Sequence, residues 1–158
     1  MPATHQIVDV DLGDRCYPVV VGAGARHELA SVLPGSPRRV AVVTQAGVGI
    51  PVDPGVEHQL FTIGDGEQAK TMATVERLCS QWARWGLTRN DAVVAVGGGI
   101  VTDVAGFAAS IYHRGVSVVY VSTTLLGQID ASVGGKTAVN LPEGKNLVGT
   151  FWQPSAVL

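Results

Sequence analysis

Hydrophobic and polar residues alternate at the start of the chain and cluster further on. Val8, Val10 and Leu12 alternate with Asp9 and Asp11, the period of a half-buried strand. Tyr17 to Val21 is a second β-rich run, and Gly13-Asp14 between the two predicts a hairpin. Arg26 to Leu33 reads as a short helix stopped by Pro34-Gly35. Val40 to Val43 is a buried strand. Residues 44–56, with Gly47, Gly49, Pro51, Pro54 and Gly55, carry no helical period and read as a loop. Gln59 to Ile63 resumes as a strand, and Gly64-Asp65-Gly66 turns the chain. Met72, Val75, Leu78, Cys79, Trp82 and Trp85 recur at helical spacing, with Gly86 placed to end that helix. Its tryptophans read as core packing rather than a cofactor site. Asp91 to Val96 and Val116 to Val121 are apolar without alternation, as in parallel strands covered on both faces. A helical stretch follows Gly97-Gly98-Gly99 to about Tyr112, and another helix-like stretch follows Thr123-Thr124. Alternating strands and helices give an α/β fold: Rossmann-like, largely parallel, flanked by helices and preceded by a β-hairpin.

Composition narrows the function. The chain has 158 residues, 46% of them hydrophobic, with a net charge of −2. That is one domain with enough apolar surface to fold, not a disordered segment. An isoelectric point near 6.0 gives no electrostatic case for nucleic acid or an anionic membrane. No apolar run approaches the roughly 18 residues of a membrane span. Met1 to His5 lacks the basic and apolar regions of a signal peptide, so a cytoplasmic location is expected. Cys16 and Cys79 form no disulfide framework and read as free thiols. His5, His27, His58 and His113 show no metal-ligand spacing, so no metal site is expected within this chain.

The glycines are unevenly spread. Ten of the 20 fall between Gly97 and Gly149, where only Asp103, Arg114, Asp130, Lys136, Glu143 and Lys145 are charged. Strand, Gly97-Gly98-Gly99 and helix can cradle a phosphate on backbone N–H groups, or simply make a tight turn. The standard dinucleotide fingerprint fails, because Thr102 stands where its third glycine belongs. Gly134-Gly135-Lys136-Thr137 invites a P-loop reading, but Asp130 occupies the position of that motif's first glycine. Asp130, Lys136, Lys145 and Asn146 are the right residue types to bind an anionic, hydroxylated ligand, or are solvated loop residues.

Several stretches carry a specific resemblance. They are Asp65 to Lys70, Val96 to Phe107, Tyr112 to Gly115, Ser122 to Leu126, Asp130 to Thr137, and Gly144 to Gly149 with Gln153-Pro154. In this order they resemble the motifs of 3-dehydroquinate synthases, in the sugar-phosphate cyclase superfamily. The resemblance implies a carbon–oxygen lyase of the shikimate pathway, which makes the precursor of the aromatic amino acids. Such enzymes convert 3-deoxy-D-arabino-heptulosonate 7-phosphate to 3-dehydroquinate and phosphate. They use NAD for a transient oxidation and re-reduction, and close the ring by an aldol reaction. By the same resemblance Asp65, Gly66, Glu67, Gln68, Ala69, Lys70, Gly98, Gly99, Ile100, Val101, Thr102, Asp103, Thr123 and Thr124 are NAD contacts. Asp130, Lys136, Lys145 and Asn146 form the substrate-side cluster, with both lysines also near the cofactor. Arg114 resembles an arginine that family homodimers lend to the neighbouring subunit's substrate.

Two departures are visible. Ser122 replaces the proline usual before the threonine pair, and residues 44–56 are shorter than the helical connection common there. The family's divalent metal, zinc or cobalt, is held by one glutamate and two histidines beyond the Gln-Pro segment, in a helical C-terminal domain. Neither ligands nor domain occur in residues 1–158, which therefore read as the N-terminal nucleotide-binding domain of a longer enzyme, inactive by itself. The residues also leave room for a sister cyclase acting on sedoheptulose 7-phosphate, a metal-dependent polyol dehydrogenase, or a free-standing NAD-binding module.

Overall fold

The continuous apolar runs are neighbouring strands of one sheet. The computed structural model describes residues 5–158, so the reading of Met1 to Thr4 falls outside the described residues. The elements are β1 (Gln6–Val10), β2 (Tyr17–Val21), α1 (Leu29–Val32), β3 (Arg39–Gln45), β4 (Glu57–Ile63), α2 (Met72–Trp85), β5 (Ala92–Gly97), α3 (Gly99–Ile111), β6 (Ser117–Ser122), β7 (Lys136–Leu141), β8 (Gly144–Phe151) and β9 (Ala156–Val157). Seven strands pair in the order β1-β2-β9-β6-β5-β3-β4. Only β1–β2 is antiparallel there, and the other pairs are parallel. β7 and β8 form a separate antiparallel hairpin.

Successive residues of the central strands pack on opposite faces, which explains why their sequences do not alternate. Ala41, Val43, Val93, Ala95, Val118 and Tyr120 face one core with Leu78 and Trp82 of α2 and Val101, Val104 and Ala108 of α3. Val40, Val42, Ala92, Val94, Val119 and Val121 face a second core. That second layer is thin: Leu29 and Val32 of α1, with Val48, Val52 and Val56 from the loop after β3.

Local chemistry sets the ends of α2. The Thr71 hydroxyl accepts from the Thr74 N–H at 3.2 Å, capping the N-terminus. Gly86, at φ +81°, closes the C-terminus, with Leu87 N–H donating to Trp82 O at 3.0 Å. Thr71→Ala is expected to cost about 1 kcal/mol in chemical denaturation. An unchanged midpoint would show that something other than this cap holds the start of α2.

Several expectations are corrected. β1 lies at the sheet edge with Ile7 and Val8 exposed, so it is not half-buried. The helix expected over 26–33 is a 3-10 turn at Ala25–Glu28 followed by the four residues of α1. The helix-like stretch after Thr124 is present but short, and its residues Gly127–Ala131 are wound as a π-helix. β5 begins at Ala92 rather than Asp91, because Asp91 leaves the ladder. Its carboxylate accepts from the N–H groups of Arg38, Arg39 and Thr88 and from the Thr88 hydroxyl. Burial opposes ionisation there, but those bonds prevail and hold the carboxyl below its ordinary range.

Candidate functional site

The strand order creates a crevice. From β3 the chain moves outward to β4 and then returns to β5 on the other side of β3. The carboxyl ends of β3 and β5 thus flank a topological switch point, where open parallel sheets bind ligands. A cleft of about 940 Å³ opens there, lined by Gln45, Gly98, Gly99, Ile100, Thr123 and Thr124 beside the strand ends. Glu67, Lys70, Asp103, Asp130, Lys136, Lys145, Asn146 and Phe151 also line it.

Backbone donors come from α3. Gly98 caps the helix without a side chain, and the Val101 and Thr102 N–H groups already donate to its carbonyl at 3.0 and 3.1 Å. The N–H groups of Gly99 and Ile100 remain at the helix mouth, where the helix dipole favours an anion. A side chain on Gly98 would meet Thr124 Cγ2 at 2.9 Å, so the close approach of this turn to the segment after β6 favours glycine.

The charged wall centres on Lys70, which is 4% exposed. Its Nζ donates to Asp103 Oδ2 at 2.7 Å and to Asn146 Oδ1 at 2.6 Å, and lies 3.7 Å from Glu67 Oε1. The two carboxylates shift in opposite directions. A hydrogen bond from Asn140 holds Glu67 below its ordinary range against partial desolvation, helped by the charges of Lys70 and Lys145. Burial pushes Asp103 up, and Lys70 only partly offsets this. Glu67 is therefore a firm acceptor for hydroxyl donors. Lys136 and Lys145 are exposed at the cleft, and neither has an ion-pair partner among the described residues.

The segment that carries Asp130 is tied to the end of β6. The hydroxyls of Ser122 and Ser132 are hydrogen-bonded, and Gly127 N–H donates to Thr124 Oγ1 at 3.1 Å. Ser132 is fully buried. Serine in place of proline at 122 thus supplies a side-chain bond that proline lacks. The P-loop alternative fails on geometry, because Lys136 opens strand β7 and not a helix.

Not every expected residue reaches the cleft. The Val101 and Thr102 side chains are buried and their N–H groups are taken, because helical geometry turns them inward although they lie between Ile100 and Asp103 in sequence. Asp65, Gly66, Gln68 and Ala69 do not line it, and Ala69 is core; they form the turn that presents Glu67 and Lys70. Arg114 lies past the far end of α3, about 20 Å along the helix axis from Gly99. Sequence reasoning missed Asn140, Gln45 and Phe151. An asparagine inside the apolar run of β7, where such residues are depleted, was the available signal for the first.

Comparisons with known proteins bear on this cleft. A family profile described as 3-dehydroquinate synthase N-terminal matches residues 60–158. A Pelotomaculum thermopropionicum 3-dehydroquinate synthase is 46% identical over 97% of the chain. The chain belongs to the 3-dehydroquinate synthase family. Another member, an Amycolatopsis mediterranei protein named as an aminodehydroquinate synthase, is 55% identical over 96% of the chain. The chain spans only 43% and 44% of these two relatives' lengths. Among solved structures, a 2-deoxy-scyllo-inosose synthase with carbaglucose-6-phosphate, NAD+ and Co2+ superposes with a TM-score of 0.86 at 30% identity. The match covers 96% of this chain and 44% of that one. A Streptomyces hygroscopicus 2-epi-5-epi-valiolone synthase with NAD+ and Zn2+ gives 0.76 at 33% identity, over 94% and 44%. A probable glycerol dehydrogenase of Sinorhizobium meliloti, at 22% identity, shares the fold alone. Among the described residues no three His, Cys, Asp or Glu side chains gather as a metal site, and no helix is long and apolar enough to cross a membrane.

Proposed function

We propose that this chain is the nucleotide-binding domain of a cytoplasmic 3-dehydroquinate synthase. That enzyme converts 3-deoxy-D-arabino-heptulosonate 7-phosphate to 3-dehydroquinate with loss of phosphate. One observation carries the reading: motif residues separated by up to 79 positions, from Glu67 to Asn146, line one switch-point cleft. The features of the cleft fit NAD. Its glycine turn packs close against Thr124, its helix offers two free N–H groups, and its carboxylates accept from hydroxyls.

NAD, when bound, supplies a hydride acceptor that becomes a donor again within the same cycle. Gly99 and Ile100 hold the pyrophosphate on their N–H groups, with Thr123 and Thr124 beside it. Glu67 and Asp103 accept from ribose hydroxyls. Lys136 and Lys145 attract the anionic groups of substrate and cofactor, and Asn146 donates to a substrate hydroxyl. Asp130 closes the substrate side. A divalent metal, zinc or cobalt, is held by residues outside this chain, and Arg114 reaches the substrate of a second subunit in a homodimer.

The test is phosphate release by the full-length protein from the heptulosonate. Release without net NADH formation is expected. Turnover of sedoheptulose 7-phosphate instead would assign a sister cyclase, and NADH accumulating with glycerol would assign a polyol dehydrogenase. The isolated 158-residue chain is expected to bind NAD in calorimetry and to show no turnover.

A second reading has its own support. The alignment to the Amycolatopsis protein runs 153 positions over 96% of the chain, whereas that to the Caulobacter vibrioides 3-dehydroquinate synthase runs 164 positions over the same share. The latter needs gaps that the former does not. Over the aligned stretch the chain thus matches the spacing of a protein whose name implies an amino-substituted dehydroquinate. Comparing kcat/KM for the heptulosonate and its amino-substituted counterpart separates the two.

A further inference from the structure

We infer that Asn140 is a positioning residue that locks the two halves of the charged wall together. The inference rests on the proposed NAD site and deepens it. Asn140 lies on β7, remote in sequence from the turn that carries Glu67 and Lys70. Two bonds join it to that turn and a third joins it to Asn146. Asn140 Nδ2 donates to Glu67 Oε1 at 2.8 Å, Asn140 Oδ1 accepts from Asn146 N–H at 2.8 Å, and Asn140 N–H donates to Lys70 O at 2.8 Å.

These bonds complete a ring. Asn146 sits at φ +55°, a left-handed conformation that a non-glycine residue adopts at a cost, and its N–H bond to Asn140 holds it there. In that conformation Asn146 Oδ1 accepts from Lys70, which also binds Asp103. With its oxygen committed, the Asn146 side chain keeps its amide hydrogens for a ligand. Glu67, bonded by Asn140, has its other oxygen for hydroxyls. One amide thus sets the orientation of a cofactor-side acceptor and of a substrate-side donor. The amide satisfies both partners, because Glu67 requires a donor and the Asn146 N–H an acceptor, whereas a carboxylate offers acceptors alone.

The test is a double-mutant cycle in the full-length protein, read by NAD titration between pH 5 and 9 and by hydrogen exchange at Asn146. Asn140→Asp keeps the acceptor for Asn146 but sets a carboxylate against Glu67, in the field of Lys70, Lys145 and Asp103. Two carboxylates sharing a site raise one pKa. NAD affinity is expected to fall about 10- to 30-fold at pH 8, with the loss shrinking as pH falls and the pair takes up a proton. In a Glu67→Gln background, where the glutamine amide donates to the new carboxylate, the same substitution is expected to cost less than about 3-fold. Equal losses in both backgrounds with a flat pH profile would overturn the inference.

Hydrogen exchange decides the clamp without reference to NAD. Asn140→Ala is expected to speed exchange at Asn146 at least 10-fold, and unchanged exchange would overturn the inference. If the parent protein binds no NAD, the proposed function fails while the exchange result still stands for the clamp.

Discussion

Lys70→Met is expected to lower stability by about 2–3 kcal/mol at pH 8 and to weaken NAD binding more than about 100-fold. Breaking a buried ion pair by deleting one partner costs about 3–5 kcal/mol, because the other charge stays buried. The estimate is lower here because Asp103 retains 21% side-chain exposure. Methionine keeps the volume of the stem, so the loss reports charge and hydrogen bonds rather than a cavity. The pH dependence follows from Asp103, whose carboxyl burial already pushes up and Lys70 pulls back. Without Lys70 the folded-state pKa rises further. A carboxyl whose pKa is raised on folding binds its proton more tightly in the native state, so it favours folding at low pH. That contribution is lost as pH rises through the raised value. The deficit of the variant should therefore be largest at alkaline pH and shrink on acidification through the carboxylate range. Urea denaturation at several pH values measures it. A deficit independent of pH would mean that Asp103 does not carry the cost.

Gly149→Ala is expected to be at least as damaging, for steric reasons. A Cβ there would lie 1.9 Å from Thr137 O and 2.8 Å from Ala138 Cα, both backbone atoms of the paired strand. Backbone cannot yield as the end of a flexible side chain can, so the β7–β8 ladder must open. Overpacking typically costs about 1–3 kcal/mol, and a backbone clash belongs at or above the top of that range. Since β7 and β8 also carry Lys136, Lys145 and Asn146, NAD affinity should fall together with stability. Gly134→Ala is the control. Its Cβ meets nothing within 4 Å, so only the φ of +88° is strained, at about 1 kcal/mol. Equal denaturation midpoints for the two variants would refute the clash.

The legible parts of the fold were those with a one-dimensional signature. β3, β5 and β6 are continuous apolar runs, and α2 has both period and caps. Residues 132–158 offered no such signature. β8 is exposed or half-exposed along its length, and β9 has two residues, so neither is legible from periodicity. The site followed the same division. Motifs named the residues around the cleft, whereas Asn140 acts through partners 70 and 73 positions away, and only the folded register brings these together.

β9 also constrains the order of assembly. Val157 pairs with Val19 on one side and with Tyr120 on the other, and among the described residues this short strand is the one that pairs the β1–β2 hairpin with the rest of the sheet. The hairpin can form early from its own neighbours. It cannot join the sheet by strand pairing until residues 156–157 have been brought round to place β9, and so distant a contact repays its loop entropy only after β3, β5 and β6 have formed. The first strands of the sequence are therefore the last to join the sheet.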